Sequence, residues 1–479
     1  VDSSAPATRS GGIVTVLAIA GIVAALMQTL VVPLIGDLPR ILDTSASNAS
    51  WVVTITLLVG AVATPVTGRL GDLLGKRRML LFCAVPLVIG SVTCALATSL
   101  APMVIGRGLQ GLGMGMVPLG ISALRELVPP QKLGSSIALI SATLGIGGAL
   151  GLPISAAVTQ NTSWRVLFWG CAVLSVLIGV LIWRLVPATP AMASGGFDVV
   201  GAVGLGVGLV SLLLAVSKGA VWGWGSAEIL GLFALAVIAL LAWGWWELRT
   251  RDPLVNLRLA AGRQVLLTNA ASVVVGFSMY AQSLIIPQLL QLPESTGYGL
   301  GQSMLAMGLW MLPGGFVMMA VSPLGAKLSA ARGPKVTLIL GALVIALGYG
   351  SSMLLLGSTW GLLVVVCISN GGVGLAYGSM PALIMGAVPP SDTGSANSFN
   401  TLMRSVGTSV AAAVVGVVLA QMSVDIGGGH TIPTEGGFRT GLLIGCGVAL
   451  VAAAIASAIP GRKPAPTVVE VADTDAAKV

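Results

Sequence analysis

Charge is what this sequence has least of. Only 8% of its 479 residues are Asp, Glu, Lys or Arg, while 56% are hydrophobic. Soluble proteins carry roughly a quarter charged residues, so a chain this poor in charge cannot wet its own surface, and a soluble globular enzyme is excluded. Disorder is excluded by the same apolar content. Histidine occurs once and cysteine five times. Cys83, Cys94, Cys171, Cys367 and Cys446 lie in apolar runs without CxxC spacing, which indicates neither a metal site nor a disulfide framework. They read as small buried hydrophobes. His430 falls in a polar loop and reads as solvated. The G-x-x-x-x-G-K-[ST] phosphate loop is missing, so nothing here reads as an ATP-driven pump, and no cofactor is implied. Acids are missing from the apolar runs as well: the sixteen Asp and Glu fall in loops, tails and helix ends.

Glycine is plentiful instead, at 65 residues, and inside apolar segments it suggests closely packed helices. About 20 apolar residues cross a bilayer core of roughly 30 Å. Fourteen segments satisfy this, at 13–35, 51–71, 79–98, 102–123, 134–158, 166–187, 199–217, 228–247, 265–288, 302–323, 336–356, 361–386, 397–421 and 439–460. The first is too long for a cleaved signal's apolar core of 7–15 residues and reads as a retained span. With the N-terminus inside, eighteen of the 24 Lys and Arg fall in inside loops and tails and four outside; Arg107 and Arg404 lie within spans. This positive-inside bias predicts cytoplasmic termini. It also explains the net charge of +8 as a topology signal, leaving no case for a nucleic-acid partner. The expectation is an all-α polytopic protein in a bilayer, with tails at 1–12 and 461–479, six-helix units at 13–187 and 265–460, and two extra helices and linkers at 188–264.

An internal repeat supports this division. Val128-Pro129-Pro130-Gln131-Lys132-Leu133-Gly134-Ser135 returns as Val388-Pro389-Pro390-Ser391-Asp392-Thr393-Gly394-Ser395. At the same offset Gly111 falls on Gly371 and Gly147 on Gly407. Parallel six-helix repeats with a site at their interface characterise one large class of secondary transporters.

The loop between spans 2 and 3 reads Gly68-Arg69-Leu70-Gly71-Asp72-Leu73-Leu74-Gly75-Lys76-Arg77-Arg78. As chemistry, it is a basic loop with one acid placed to pair with cations or a helix N-terminus. Its full spacing resembles the signature loop of the major facilitator superfamily. The second-half counterpart, residues 325–335, is degenerate and lacks the Asp. Ile105-Gly106-Arg107-Gly108-Leu109-Gln110-Gly111 puts an Arg in mid-span, where it must face the interior or a wet cavity. Either it serves substrate or proton, or it is anchored on backbone carbonyls. The segment resembles the superfamily's R-x-x-Q-G motif, which the resemblance links to proton transfer. Gly147, Gly151 and Pro153 mark a small-residue packing face that resembles the exporters' glycine-rich antiporter motif; a kinked packing helix is the alternative. Trp164-Arg165, Phe197-Asp198 and Asp252-Pro253-Leu254, with fourteen spans, resemble the fourteen-helix drug–proton antiporter branch.

The resemblance implies a multidrug exporter of the bacterial plasma membrane. It would move amphipathic or hydrophobic small molecules by alternating access, as a monomer powered by the proton gradient. Its pathway candidates are Gln28, Asp37, Arg107, Gln110, Tyr280, Gln282, Trp310, Asn400 and Arg404. Gly68, Arg69, Asp72, Gly75, Lys76, Arg77 and Glu126 are the candidates for conformational gating. The branch often carries an acid in span 1 where this chain has Met27. That departure favours a rival, an uptake symporter or facilitator on the same fold. A second rival, of another class, is a membrane enzyme acting on lipid-linked substrates, which would need acids or histidine clustered at one membrane face.

Overall fold

A computed structural model describes residues 7–35, 37–425 and 431–460. The long helices run in chain order as α1 (Ala7–Thr29), α2 (Trp51–Leu74), α3 (Lys76–Leu96), α4 (Leu100–Leu112), α5 (Met116–Leu127), α6 (Pro130–Asn161), α7 (Arg165–Leu185) and α8 (Val199–Trp222). They continue as α9 (Ala227–Glu247), α10 (Arg263–Gln291), α11 (Met304–Arg332), α12 (Pro334–Leu355), α13 (Thr359–Met385), α14 (Thr393–Gln421) and α15 (Glu435–Ser457). Among the described residues, thirteen helices are long and apolar enough to cross a membrane.

The expected count of fourteen differs because span 102–123 is not one helix. It is interrupted by a 3-10 turn at Gly113–Gly115, which leaves α4 and α5 too short individually. Glycine weakens a helix interior, and Pro118 cannot donate to the carbonyl four residues earlier. The break is also useful for packing. A Cβ on Gly113 would strike the Leu87 side chain, and one on Gly115 the Thr67 side chain.

Three other expectations need correction. The first helix begins at Ala7, inside the stretch read as a tail. Lys218, one of the four cations counted in outside loops, belongs to α8, where it is buried with Nζ 2.6 Å from Ser50 Oγ and over the Trp51 ring. The all-α reading also misses a two-stranded antiparallel ribbon, β1 (Ser423–Asp425) against β2 (Thr431–Pro433). His430 and the tail 461–479 lie outside the described residues.

Two large apolar clusters are distinct. One is built from residues between Ile13 and Val186, with Met385; the other runs from Ala271 to Ile459. A third joins Leu58 and Ala61 of α2, Leu205, Leu209 and Leu213 of α8, and Leu402 of α14. Lipid offers no hydrophobic drive between helices, so close backbone approach must hold them together. Glycine supplies it in matched places. A Cβ on Gly90 (α3) would lie 2.5 Å from the Gly106 carbonyl oxygen of α4, and one on Gly341 (α12) would lie 2.8 Å from that of Gly372 on α13.

Helix α6 is packed on two sides. Gly147 and Gly151 face Ile22, Ala25 and Leu26 of α1, and Ser155 Oγ donates to the Leu30 carbonyl (2.5 Å). On its other side, Ala149 and the Gly145 carbonyl meet Gly315 of α11, Pro153 meets Gly308, and Ala138 accepts from Ser322 Oγ (2.5 Å). The three residues singled out as a packing motif thus serve two interfaces, one on α1 and one on α11. Helix α9 packs on α8 and leaves most of its surface exposed.

Candidate functional site

Asp72 stands in the last turn of α2 and is fully buried. Its Oδ1 accepts from the Gly394 amide (3.0 Å) and its Oδ2 from the Ser395 amide (2.8 Å), both in the first turn of α14. Lys76 Nζ lies 2.5 Å from Oδ1 and 3.2 Å from Glu126 Oε1. The carboxylate therefore caps the N-terminus of a helix more than 300 residues away, where free amides and the helix dipole favour negative charge. Glycine makes the approach possible. A Cβ on Gly68 would lie 2.6 Å from the Gly394 carbonyl oxygen and from Ser398 Cβ, and one on Gly394 would lie 2.7 Å from Asp72 Oδ1.

Neighbouring segments lock around this contact. Arg125 of α5 donates to the Val388 carbonyl (3.1 Å) and to Thr393 Oγ1 (3.0 Å). The Met192 and Ala193 amides donate to the Asp72 carbonyl (3.0 Å each). Gly75, at φ +92, turns α2 into α3 in a conformation open to glycine, and the Arg77 amide donates to Thr189 Oγ1 (3.0 Å). Arg69 is buried in the same wall. Burial pushes the Glu126 carboxyl above the ordinary range, against the opposing pull of Lys76, while the Asp72 charge adds to the rise. A cavity of about 360 Å³ beside the cluster is lined by Arg125, Glu126, Pro190, Met192, Pro390 and Thr393. All seven gating candidates thus fall in one region. Sequence reasoning missed its other side, Arg125, Thr393, Gly394 and Ser395, although the repeated VPP-x-x-x-GS string was the signal that pointed there.

Arg107 is 1% exposed. Its Nε donates to the Val52 carbonyl (3.1 Å), and its Nη1 to the Met27 carbonyl (2.9 Å) and to Gln110 Oε1 (2.7 Å). Gln110 Nε2 donates to Ser91 Oγ (2.9 Å), and Thr56 Oγ1 to the Arg107 carbonyl (3.0 Å). Two backbone carbonyls and the Gln110 amide oxygen thus hold the guanidinium. It ties α1, α2 and α4 together.

Arg404 has different company. Its guanidinium lies 4.3 Å from the centre of the Tyr377 ring, a cation–π distance, and Nη2 reaches Thr401 Oγ1 at 3.4 Å. Tyr377 donates to Met279 Sδ (3.0 Å). One turn earlier, Asn400 donates to Asn269 Oδ1 (2.8 Å) and Ser272 Oγ (2.7 Å). Among the described residues, neither arginine has a carboxylate within ion-pair distance.

The pathway candidates do not form one contact group. Gln28 is half-buried on α1 and Tyr280 half-buried on α10, while Gln282 is buried. Trp310 Nε1 donates to Gln302 Oε1 (3.1 Å), and its ring meets Trp360 edge-on. Asp37 is exposed, 3.4 Å from Arg40.

A bundle of long apolar helices with buried cations, in which distant segments of the chain cap one another, fits a membrane transporter. The Major Facilitator Superfamily description matches residues 17–412, and this chain belongs to that family. An uncharacterized MFS-type transporter of Mycobacterium tuberculosis is 31% identical over 415 residues, covering 86% of this chain. The match spans only 59% of that relative's length. Multidrug resistance protein 3 of Bacillus subtilis is 26% identical over 406 residues, 83% of this chain and 77% of its own. The human organic anion transporter MFSD10 shares the fold at a TM-score of 0.66 and 16% identity, over 93% of this chain and 99% of its own. Membership settles the enzyme rival: family and fold are those of transporters, which are not enzymes.

Proposed function

We propose that this chain exports amphipathic or hydrophobic small molecules across the bacterial plasma membrane, in exchange for protons, as a monomer of the fourteen-helix branch with cytoplasmic termini. Two six-helix units, 13–187 and 265–460, rock against each other, and α8 and α9 stand outside the path. The observation that carries this reading is the capping of α14 by Asp72. It is a compact latch between distant parts of the chain, made of bonds that break together when the parts separate. Gly68, Arg69, Gly75, Lys76, Arg77 and Glu126 shape and hold it. The path runs past Gln28, Arg107 and Gln110 on one side and Tyr280, Gln282, Trp310, Asn400 and Arg404 on the other, with Asp37 at its mouth. Met279, Met304, Met307 and Met311 provide adaptable apolar surface. Relatives named for multidrug resistance support export.

The test is flux in proteoliposomes. An amphipathic fluorescent cation should accumulate against its gradient when an opposing proton gradient is imposed. Flux indifferent to that gradient would sink the antiport. A second reading, uptake or facilitated diffusion, is favoured by Met27: where the branch has an acid, Arg107 holds only the Met27 backbone carbonyl.

A further inference from the structure

Beside the Asp72 cluster lies another buried pair of acids, on the two additional helices. Asp198 caps α8, its Oδ1 accepting from the Gly201 amide (2.8 Å) and its Oδ2 from Trp246 Nε1 (3.0 Å). Glu247 ends α9 and is 3% exposed. Its Oε1 accepts from Trp243 Nε1 (2.9 Å), whereas its buried Oε2 has no hydrogen-bond partner. Both carboxylates crowd Gly201, where a Cβ would collide with an oxygen of each. The amides of Leu254 and Val255 face Glu247 from the following loop.

Nearby charges are directed elsewhere. Arg249 stacks on the Trp245 ring, Arg258 donates to the Leu248 carbonyl, and Arg251 is exposed. Asp252 accepts from the Gly196 amide. Beyond Leu254 and Ser395, the next charged groups are the Asp72–Lys76 pair, already engaged with each other. Two adjacent buried carboxylates cannot both ionise without a cation. The groups around this pair are N–H donors, which repel a metal ion. A proton held by the pair removes one of its two like charges.

We propose that Asp198 and Glu247 form a proton-binding site whose loading is passed to the Asp72 latch through Leu254 and Ser395. The connection is short. The Leu254 amide faces Glu247, the Leu254 carbonyl accepts from Ser395 Oγ (3.0 Å), and the Ser395 amide donates to Asp72 Oδ2 (2.8 Å). With the proton bound, the pair carries one negative charge and the loop stays seated. Its release to water leaves two like charges in contact, drives Glu247 away from its partners and pulls Leu254 off Ser395. The transmission half rests on the latch reading of Asp72; the proton-binding half does not.

The test uses the full chain in nanodiscs. Glu247→Gln keeps the acceptor for Trp243, and Asp198→Asn keeps the α8 cap. In the wild type, the infrared C=O band of a protonated carboxyl should be present at neutral pH and weaker in Glu247→Gln. Hydrogen-exchange protection of residues 393–397 should vary with pH in the wild type and become flat in both variants. Because Glu126 can contribute to the same region, the reading is the wild-type minus Glu247→Gln difference: a wild type without the band, or a band of unchanged intensity in Glu247→Gln, overturns the proton site. Protection that keeps the wild-type pH dependence in both variants overturns the coupling. Neither readout involves transport, so failure of the export reading would show separately, in the liposome flux.

Discussion

The two copies of the VPP-x-x-x-GS string meet opposite surroundings. In the second copy, Gly394 and Ser395 are buried and bonded to Asp72, and Arg125 holds Val388 and Thr393. In the first copy, Gly134 and Ser135 are exposed, and a Cβ on Gly134 would meet nothing within 4 Å. The ends of α2 and α11 differ in the same sense. Ser329 stands where Asp72 would be and bonds only locally, to Thr337 (2.8 Å). The repeat therefore supplies two helix N-termini, of which Asp72 caps the second.

Removing that carboxylate is the strongest way to break the asymmetry. Asp72→Ala leaves buried Lys76 with Glu126 alone and strands two helix amides, a loss of about 3–5 kcal/mol for a broken buried pair. Transport in an efflux assay should fall by at least about 100-fold. Adding Ser329→Asp should not restore it, because the α6 terminus is open to water. Gly394→Ala comes next: its Cβ would crowd Asp72 Oδ1 and the Gly68 carbonyl, and transport should drop about tenfold, about 1.4 kcal/mol. Gly134→Ala should leave transport at the wild-type rate and raise thermal stability by up to about 1 kcal/mol. Equal effects of the two glycine changes would erase the comparison. Arg125→Gln should weaken transport by about two- to fivefold, through lost hydrogen bonds of about 0.5–1 kcal/mol. Glu126→Gln should have the smallest effect. Its raised carboxyl binds its proton more tightly folded than unfolded, so the stability it contributes is present at low pH and lost as pH rises through the folded value. The variant should match the wild type in acid and melt slightly higher in mild alkali; a lower melting point there would show that Lys76 outweighs burial.

Much of the fold was legible because a bilayer leaves few options: apolar runs of the right length, and cations on one side. The cluster around Asp72 was legible from spacing, since Gly68, Asp72 and Gly75 follow a pattern that backbone approach and charge both require. What lay hidden was long-range pairing. Nothing local to Gly394 names Asp72 as its partner, and nothing in Arg107 distinguishes a cavity from three carbonyls. Glu247 and Asp198 looked like ordinary acids at helix ends because burial there depends on Trp243, Trp246 and the loop at Leu254.

The break at Gly113–Gly115 bears on how the protein enters its membrane. At 1.5 Å per residue, α4 with 13 residues and α5 with 12 each reach about 20 Å, short of a hydrocarbon core of roughly 30 Å. Neither can be released into lipid alone, and Arg107 makes α4 costlier still. The segment's threading must wait for neighbours: Gly106 against Gly90 and Cys94 of α3, Gly111 against Thr56 of α2, and the Val52 and Met27 carbonyls that receive the arginine. Insertion of this interrupted segment then depends on the three helices that precede it.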